Sequence, residues 1–272
     1  MRLCADLIGR NSVRVVRTTI GPAGTVLRKR WLWGQMKYET LIKTGGEKAW
    51  KEWVQAYLAC LAFVDDQVGK ILKALDESPY RDNTIVVLTG DNGYHVGEKD
   101  CITKWHLWEE STRVPLFIHM PNSKTNGQTC DHPVSLIDLY PTLVDLCGLP
   151  KEPNKGHSDI SLDGYSLRPF LKDPARQDWD GPAVAFMGVR DLEGVKKYNS
   201  AYMKEAHFSV RSKRYRYTLC ADGEEELYDH KNDPNEWTNL ANNPKYDTIK
   251  NKLHNELISI RDRKHSSCKK GF

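Results

Sequence analysis

No apolar run in this chain approaches the roughly 20 residues that a membrane-spanning helix requires, so no helical span is expected. The opening stretch MRLCADLIGRNSVRVV holds no continuous apolar segment followed by a small-residue cleavage site, and no signal peptide is expected either. Seven cysteines (4, 60, 101, 130, 147, 220 and 268) form no CxxC pair and no His-rich spacing, which argues against a zinc ribbon. Their odd number argues against a complete disulfide framework. Cys60 and Cys147 fall on apolar helix faces and are expected to be inert core residues. Gly97-Glu98-Lys99 is no phosphate loop, because GxxxxGK[ST] needs a lysine directly after its second glycine and then Ser or Thr. A G-x-S-x-G nucleophile elbow, internal repeats and low-complexity tracts are also missing.

What remains is the composition of an ordinary soluble globular protein: 272 residues, 39% hydrophobic and 28% charged, enough for one or two domains. The net charge of +4 hides an asymmetry. Residues 1–38 hold eight Lys or Arg against one acid, Asp6, for +7, leaving the rest near −3. A basic arm can bind nucleic acid. This one carries no DNA- or RNA-binding signature, so it is expected to be irregular and no nucleic-acid partner is expected.

From Gly46 the pattern becomes regular. Trp50, Trp53, Val54, Tyr57, Leu58, Leu61, Val64, Val68, Ile71, Leu72 and Leu75 recur at three- and four-residue steps, predicting an amphipathic helix that ends before Ser78-Pro79. Strands follow at 84–89 and 114–120, then a helix from about Ser135 with Ile137, Leu139, Leu143, Val144 and Cys147 inward and Gly148 as its cap. A Pro- and Gly-rich connection occupies 151–182. Beyond it, HFSVRSKRYRYTLC alternates in period two, an Asp-Gly turn leads to another strand, and a charged helix closes the chain over roughly 245–263. The expected divisions are therefore 1–38, a partial α/β core at 39–175, and an antiparallel α+β subdomain at 176–272.

The strand at 84–89 ends abruptly in Gly90-Asp91-Asn92-Gly93. In α/β sheets, ligands gather at the carboxyl ends of strands, and Asp91 and Asn92 offer oxygens of the kind that Ca²⁺ or Mg²⁺ prefers. The same four residues also make a tight turn, and spacing alone favours the turn. His95, Lys99 and Lys104 follow; a lysine near a divalent cation is a natural counter-charge for sulfate or phosphate, and equally an ordinary surface charge. His106 and His119 carry a weaker signal. Glu109-Glu110 reads as a solvated helix start, since adjacent helical carboxylates point different ways.

Six blocks together extend these readings: YLACLAFVDDQVGKIL, DNTIVVLTGDNGYHVGEK, KWHLWEESTRVPLFIHMP, VSLIDLYPTLVDLCGLP, LDGYSLRPFL and ELYDHKNDPNEWTNLA. In this order they resemble the type I sulfatases, most closely the iduronate-2-sulfatase-like branch, across residues 38–260. The resemblance implies an α/β alkaline-phosphatase-like sandwich, here partial, with a smaller C-terminal antiparallel subdomain. It implies hydrolysis of sulfate esters, on sulfated glycans, at a Ca²⁺ site. Asp91 and Asn92 match the late pair of metal ligands, and Lys104 matches the lysine that holds the sulfate oxygens. His95 is carried as a catalytic candidate and Lys99 as a substrate contact in the same loop.

Formylglycine is the nucleophile expected in that family. None of the seven cysteines here stands in its C/S-x-P-S/A-x-R context. The chain is therefore expected to be a truncated, inactive C-terminal portion, its basic first 38 residues arising from a misread frame or a wrong start. Relatives of this kind are usually periplasmic, secreted or lysosomal. Two other readings stay open: a non-catalytic pseudoenzyme binding sulfated polysaccharide, and a phosphodiesterase or phosphonate hydrolase of the same superfamily.

Overall fold

The computed structural model describes residues 32–150, 162–179, 181–188 and 206–268. The basic arm up to residue 31 and part of the 151–182 connection lie outside them. The described residues form two compact units: 32–106 with 110–129, and 107–109 with 130–268.

The first unit opens on α1 (Leu32–Asp76), interrupted only at Gly46, whose φ of 61° and ψ of −160° break the helical path. The helix starts inside the segment expected to be irregular, where Gln35, Met36 and Lys37 are all good helix formers. It ends before Pro79 as predicted, and the Ser78 hydroxyl donates to the Leu75 carbonyl at 2.7 Å. Next come β1 (Val86–Thr89), β2 (His95–Val96), β3 (Ile102–Thr103), the one-turn α2 (Glu109–Thr112), whose first residue is counted with the second unit, and β4 (Leu116–His119). β1 pairs antiparallel with β4, Val86 opposite His119 and Thr89 opposite Leu116, and β2 with β3, His95 opposite Thr103.

Much of the apolar surface of this unit stays in water. Leu58, Leu61, Phe63, Val64 and Ile71 are exposed, Phe63 and Ile71 at 66% and 67%. The apolar period of α1 was read correctly, but only Trp50, Trp53, Val54, Tyr57, Val68, Leu72 and Leu75 along it are partly covered. Cys60, expected in a core, is exposed with them.

The second unit contains α3 (Leu139–Leu146), α4 (Arg168–Lys172), β5 (Ala183–Gly188), β6 (Ala206–Arg211), β7 (Tyr215–Leu219), β8 (Glu225–Asp229) and α5 (Asp247–Cys268). Asp138 accepts from the Ser135 N–H at 2.9 Å, fixing the entry to α3. At the exit Gly148 adopts φ 64°, and Leu149 N donates to Val144 O at 2.9 Å, closing the helix with the glycine cap the sequence predicts. The inward face is Asp138, Thr142 and Val144. Ile137 and Cys147, expected inward, are exposed, because the buried polar pair Asp138 and Thr142 receives the N–H groups of Tyr165 and Leu167. Gly164 (φ 89°) permits that docking: a Cβ there would stand 2.6 Å from the Ile137 carbonyl oxygen.

β5–β6–β7–β8 form one antiparallel sheet in that order. One face packs Phe208, Val210, Tyr217 and Leu227 with Leu253 and Leu257 of α5, each such side chain contributing about 1.5–3 kcal/mol on burial. The opposite face is polar, as period-two alternation predicts, yet Ser209, Arg216, Thr218 and Glu226 are all buried as well. Leu107 and Trp108 are buried in this same unit, and the Trp108 indole donates to Glu226 Oε2 at 3.0 Å.

Candidate functional site

The polar segment after β1 is organised by its glycines. Gly93 donates to the Ser111 carbonyl at 2.9 Å, and a Cβ there would stand 2.0 Å from the Glu110 carbonyl oxygen, so the 110–111 backbone can approach only a glycine. The β2–β3 hairpin then reverses the chain through Gly97, Lys99 and Asp100, with φ of 133°, 56° and 56°, and Thr103 follows at 153°. Three non-glycine residues with positive φ within five positions store backbone strain of about 1–3 kcal/mol each. Glu98 bridges the turn by accepting the Val96 N–H at 2.7 Å.

That reversal brings Lys104 back to the end of β1. Its ammonium donates to Asn92 Oδ1 at 2.9 Å and lies 3.9 Å from Asp91 Oδ2. Asn92 is fixed by donating its amide to the Gly93 carbonyl and its backbone N–H to Asp91 Oδ1, at 2.9 and 3.0 Å. Three of the five predicted site residues thus converge, open to solvent, with Asp91 87% and Lys104 43% exposed. The donor set suits a hard divalent cation in part: one carboxylate and one amide oxygen, where Ca²⁺ takes six to eight oxygens.

His95 and Lys99 are placed differently. Both are buried, and His95 Nδ1 lies 2.8 Å from the Ser111 hydroxyl. The His95 ring meets that of His106 edge-on, centroids 4.8 Å apart. Burial, reinforced by the Lys99 charge, pulls His106 down to about 4, so it is neutral at neutral pH. His119 lies exposed on β4.

Sequence reasoning missed a buried ion-pair network in the second unit. Glu109, expected to be solvated, is bonded by Arg211 at 3.2 Å and by Arg216, while its own N–H donates to Glu236 Oε2 at 2.9 Å. Arg216 also reaches Glu236 at 2.6 Å, and His230 Nε2 lies 2.9 Å from the same carboxylate. Burial would raise the Glu109 carboxyl, but Arg216 and Arg211 outweigh it and hold it below the usual range. Glu236 is held at about 2, against its own desolvation, chiefly by Arg216. Glu109, His230 and Glu236 place three potential metal ligands within 4.8 Å of one another. Two guanidiniums already balance the two carboxylates, so this is a charge-neutral structural network with no need of a cation. Its signal in the sequence is weak, since Glu109 stands more than a hundred positions from each of its partners.

Two family models match the chain, "Sulfatase" over residues 31–149 and "N-sulphoglucosamine sulphohydrolase, C-terminal" over 97–263. A sulfatase of Formosa agariphila is 39% identical over 197 residues, 72% of this chain and 34% of that protein. A delta 4,5-hexuronate-2-O-sulfatase of Bacteroides thetaiotaomicron is 34% identical, covering 75% of this chain and 40% of its own length. The chain thus spans well under half the length of these relatives. Among solved structures, a 2-O GAG sulfatase superposes with a TM-score of 0.64 at 30% identity, over 84% of this chain and 46% of that one. A phosphonate monoester hydrolase of Agrobacterium radiobacter gives 0.62 at 28%, over 74% and 40%. The fold is accordingly that of the alkaline-phosphatase-like enzymes, here in part, and the chain belongs to the sulfatase family.

Proposed function

We propose that this chain carries one wall of a sulfate ester hydrolase site for sulfated glycans, on the iduronate-2-sulfatase-like branch. The observation behind this reading is the Lys104 ammonium beside Asn92 and Asp91 at the carboxyl end of β1. Asp91 and Asn92 would hold Ca²⁺, which supplies a Lewis acid for a sulfate oxygen when bound. Lys104 contacts the sulfate and stabilises negative charge that develops during ester cleavage. His95 and Lys99 belong to the same site, His95 held by Ser111 and Lys99 adding positive charge behind the loop. No cysteine here occupies a formylglycine context, so no nucleophilic step is assigned to this chain.

Alone, the chain is expected to turn over no aryl sulfate above background. Calorimetry should find calcium binding with a Kd on the order of millimolar, abolished in Asp91→Ala. Turnover that disappears in Lys104→Ala would overturn the inactive assignment. Tight calcium binding indifferent to Asp91 would overturn the metal assignment. Likeness to the phosphonate monoester hydrolase favours a second reading, a phosphonate or phosphodiester substrate at the same wall. Competition between methyl sulfate and methylphosphonate for the Lys104 site separates the two.

A further inference from the structure

The second unit holds a cleft of about 440 Å³ bordered by Arg214, Tyr215, Asn232, Lys245, Tyr246 and Lys252. Its floor is rigid. Arg214 is clasped by Asp229 through two hydrogen bonds of 2.7 Å, and Asn232 donates to the same carboxylate at 2.7 Å. The Arg214 guanidinium lies 4.9 Å from the centroid of the Tyr215 ring. Both bonds to Asp229 come from Nε and Nη2, which leaves Nη1 for a ligand.

The rim is where charge accumulates. Lys245 and Lys252 are exposed, and among the described residues neither enters an ion pair. On α1, by contrast, Lys48, Lys51, Lys70 and Lys73 each face a carboxylate four positions away. Even Lys250, within the same turn of α5 as Lys252, is held by Glu225 at 3.4 Å and Asp247 at 3.8 Å. Lys245, in the 3₁₀ turn Pro244–Tyr246, and Lys252, in α5, border the same opening. Two unneutralised ammoniums, a guanidinium with a spare N–H edge and two phenol rings border one opening of ordinary ligand-pocket size.

We infer that this cleft, built from residues of the second unit, is a second attachment site for a sulfated saccharide. The ammoniums and Arg214 take sulfate groups, and Tyr215 and Tyr246 pack against the apolar face of a sugar ring. The inference extends the proposed function by giving its polymer substrate an anchor, and depends on that reading only for the choice of ligand.

The test is calorimetric titration of the full chain with a sulfated heparin hexasaccharide, its chemically desulfated counterpart and inorganic sulfate. The expected result is binding of the sulfated saccharide alone, weakened at least tenfold in a Lys245→Ala, Lys252→Ala double variant and several-fold in Tyr246→Ala. A Lys48→Ala, Lys51→Ala variant removes the same charge and should bind as wild type. The inference is overturned by no binding to wild type, by equal binding of the desulfated or inorganic probe, or by equal loss in the Lys48/Lys51 control. Loss in Lys104→Ala alone also overturns it, and places the saccharide at the proposed sulfate ester site instead.

Discussion

Trp50 fills the space that a side chain at Gly97 would need: a Cβ there would lie 2.6 Å from Cζ2 of the indole. The same indole donates to the Val96 carbonyl at 2.7 Å, so one residue of α1 fastens the turn on which the approach of Lys104 to Asn92 depends.

Gly97→Ala should therefore destabilise the first unit by about 2 kcal/mol, through both the collision and the φ of 133°. Trp50→Phe, which loses the hydrogen bond and part of the packing, should cost about 1–2 kcal/mol. Urea midpoints at unchanged slope would register both.

His106 makes the first unit sensitive to mild acid. Its folded value of about 4 lies below the ordinary 6.5, so the unfolded chain takes up the proton first. Stability is complete above pH 6.5 and declines as pH falls toward 4, by on the order of 3 kcal/mol. His106→Leu should flatten that slope in denaturation series run at successive pH values.

The second unit should resist acid further down. Glu236, held at about 2 against an ordinary 4.5, contributes stability that is complete above pH 4.5 and is lost as pH falls through about 2. Arg216→Ala leaves two carboxylates with an unbalanced buried charge and should cost about 3–5 kcal/mol. Glu236→Gln should reduce the low-pH slope, leaving the part that Glu109 and Asp229 contribute. Comparing tryptophan emission with that of a Trp108→Phe variant isolates the signal of Trp108, bonded to Glu226 in this unit.

Thiol chemistry should separate the described cysteines. Cys60 and Cys147 are exposed, while Cys101 and Cys220 are buried. Ellman's reagent on the native chain, followed by peptide mass mapping, should label the first two rapidly and the second two only after denaturation.

Local pattern carried much of this architecture. The apolar runs gave β1 and β4, the Asp-Gly turn gave the hairpin of β7 and β8, and Gly148 gave the end of α3. Burial was less legible, because periodicity shows which face of a helix is apolar but not whether anything covers it; Cys60 and Leu61 sit on the right face in the wrong medium. Glu109 failed for the complementary reason: two adjacent glutamates look solvated until Arg211, Arg216 and Glu236 arrive from distant strands and turns. At the candidate site, Asp91, Asn92 and Lys104 could be named in advance. Their convergence needed the strained reversal at Lys99 and Asp100, which spacing does not reveal. Nor did spacing show that His95 and Lys99 turn inward.

The uncovered side of α1 bears on how any of these measurements is to be taken. Five large apolar side chains standing in water favour self-association and dye or chaperone capture, each of which rises with protein concentration. A melting midpoint for this chain is consequently a property of the solution as much as of the sequence. Midpoints should move with dilution, and Phe63→Ser with Ile71→Ser should make them stationary, which would identify α1 as the surface responsible.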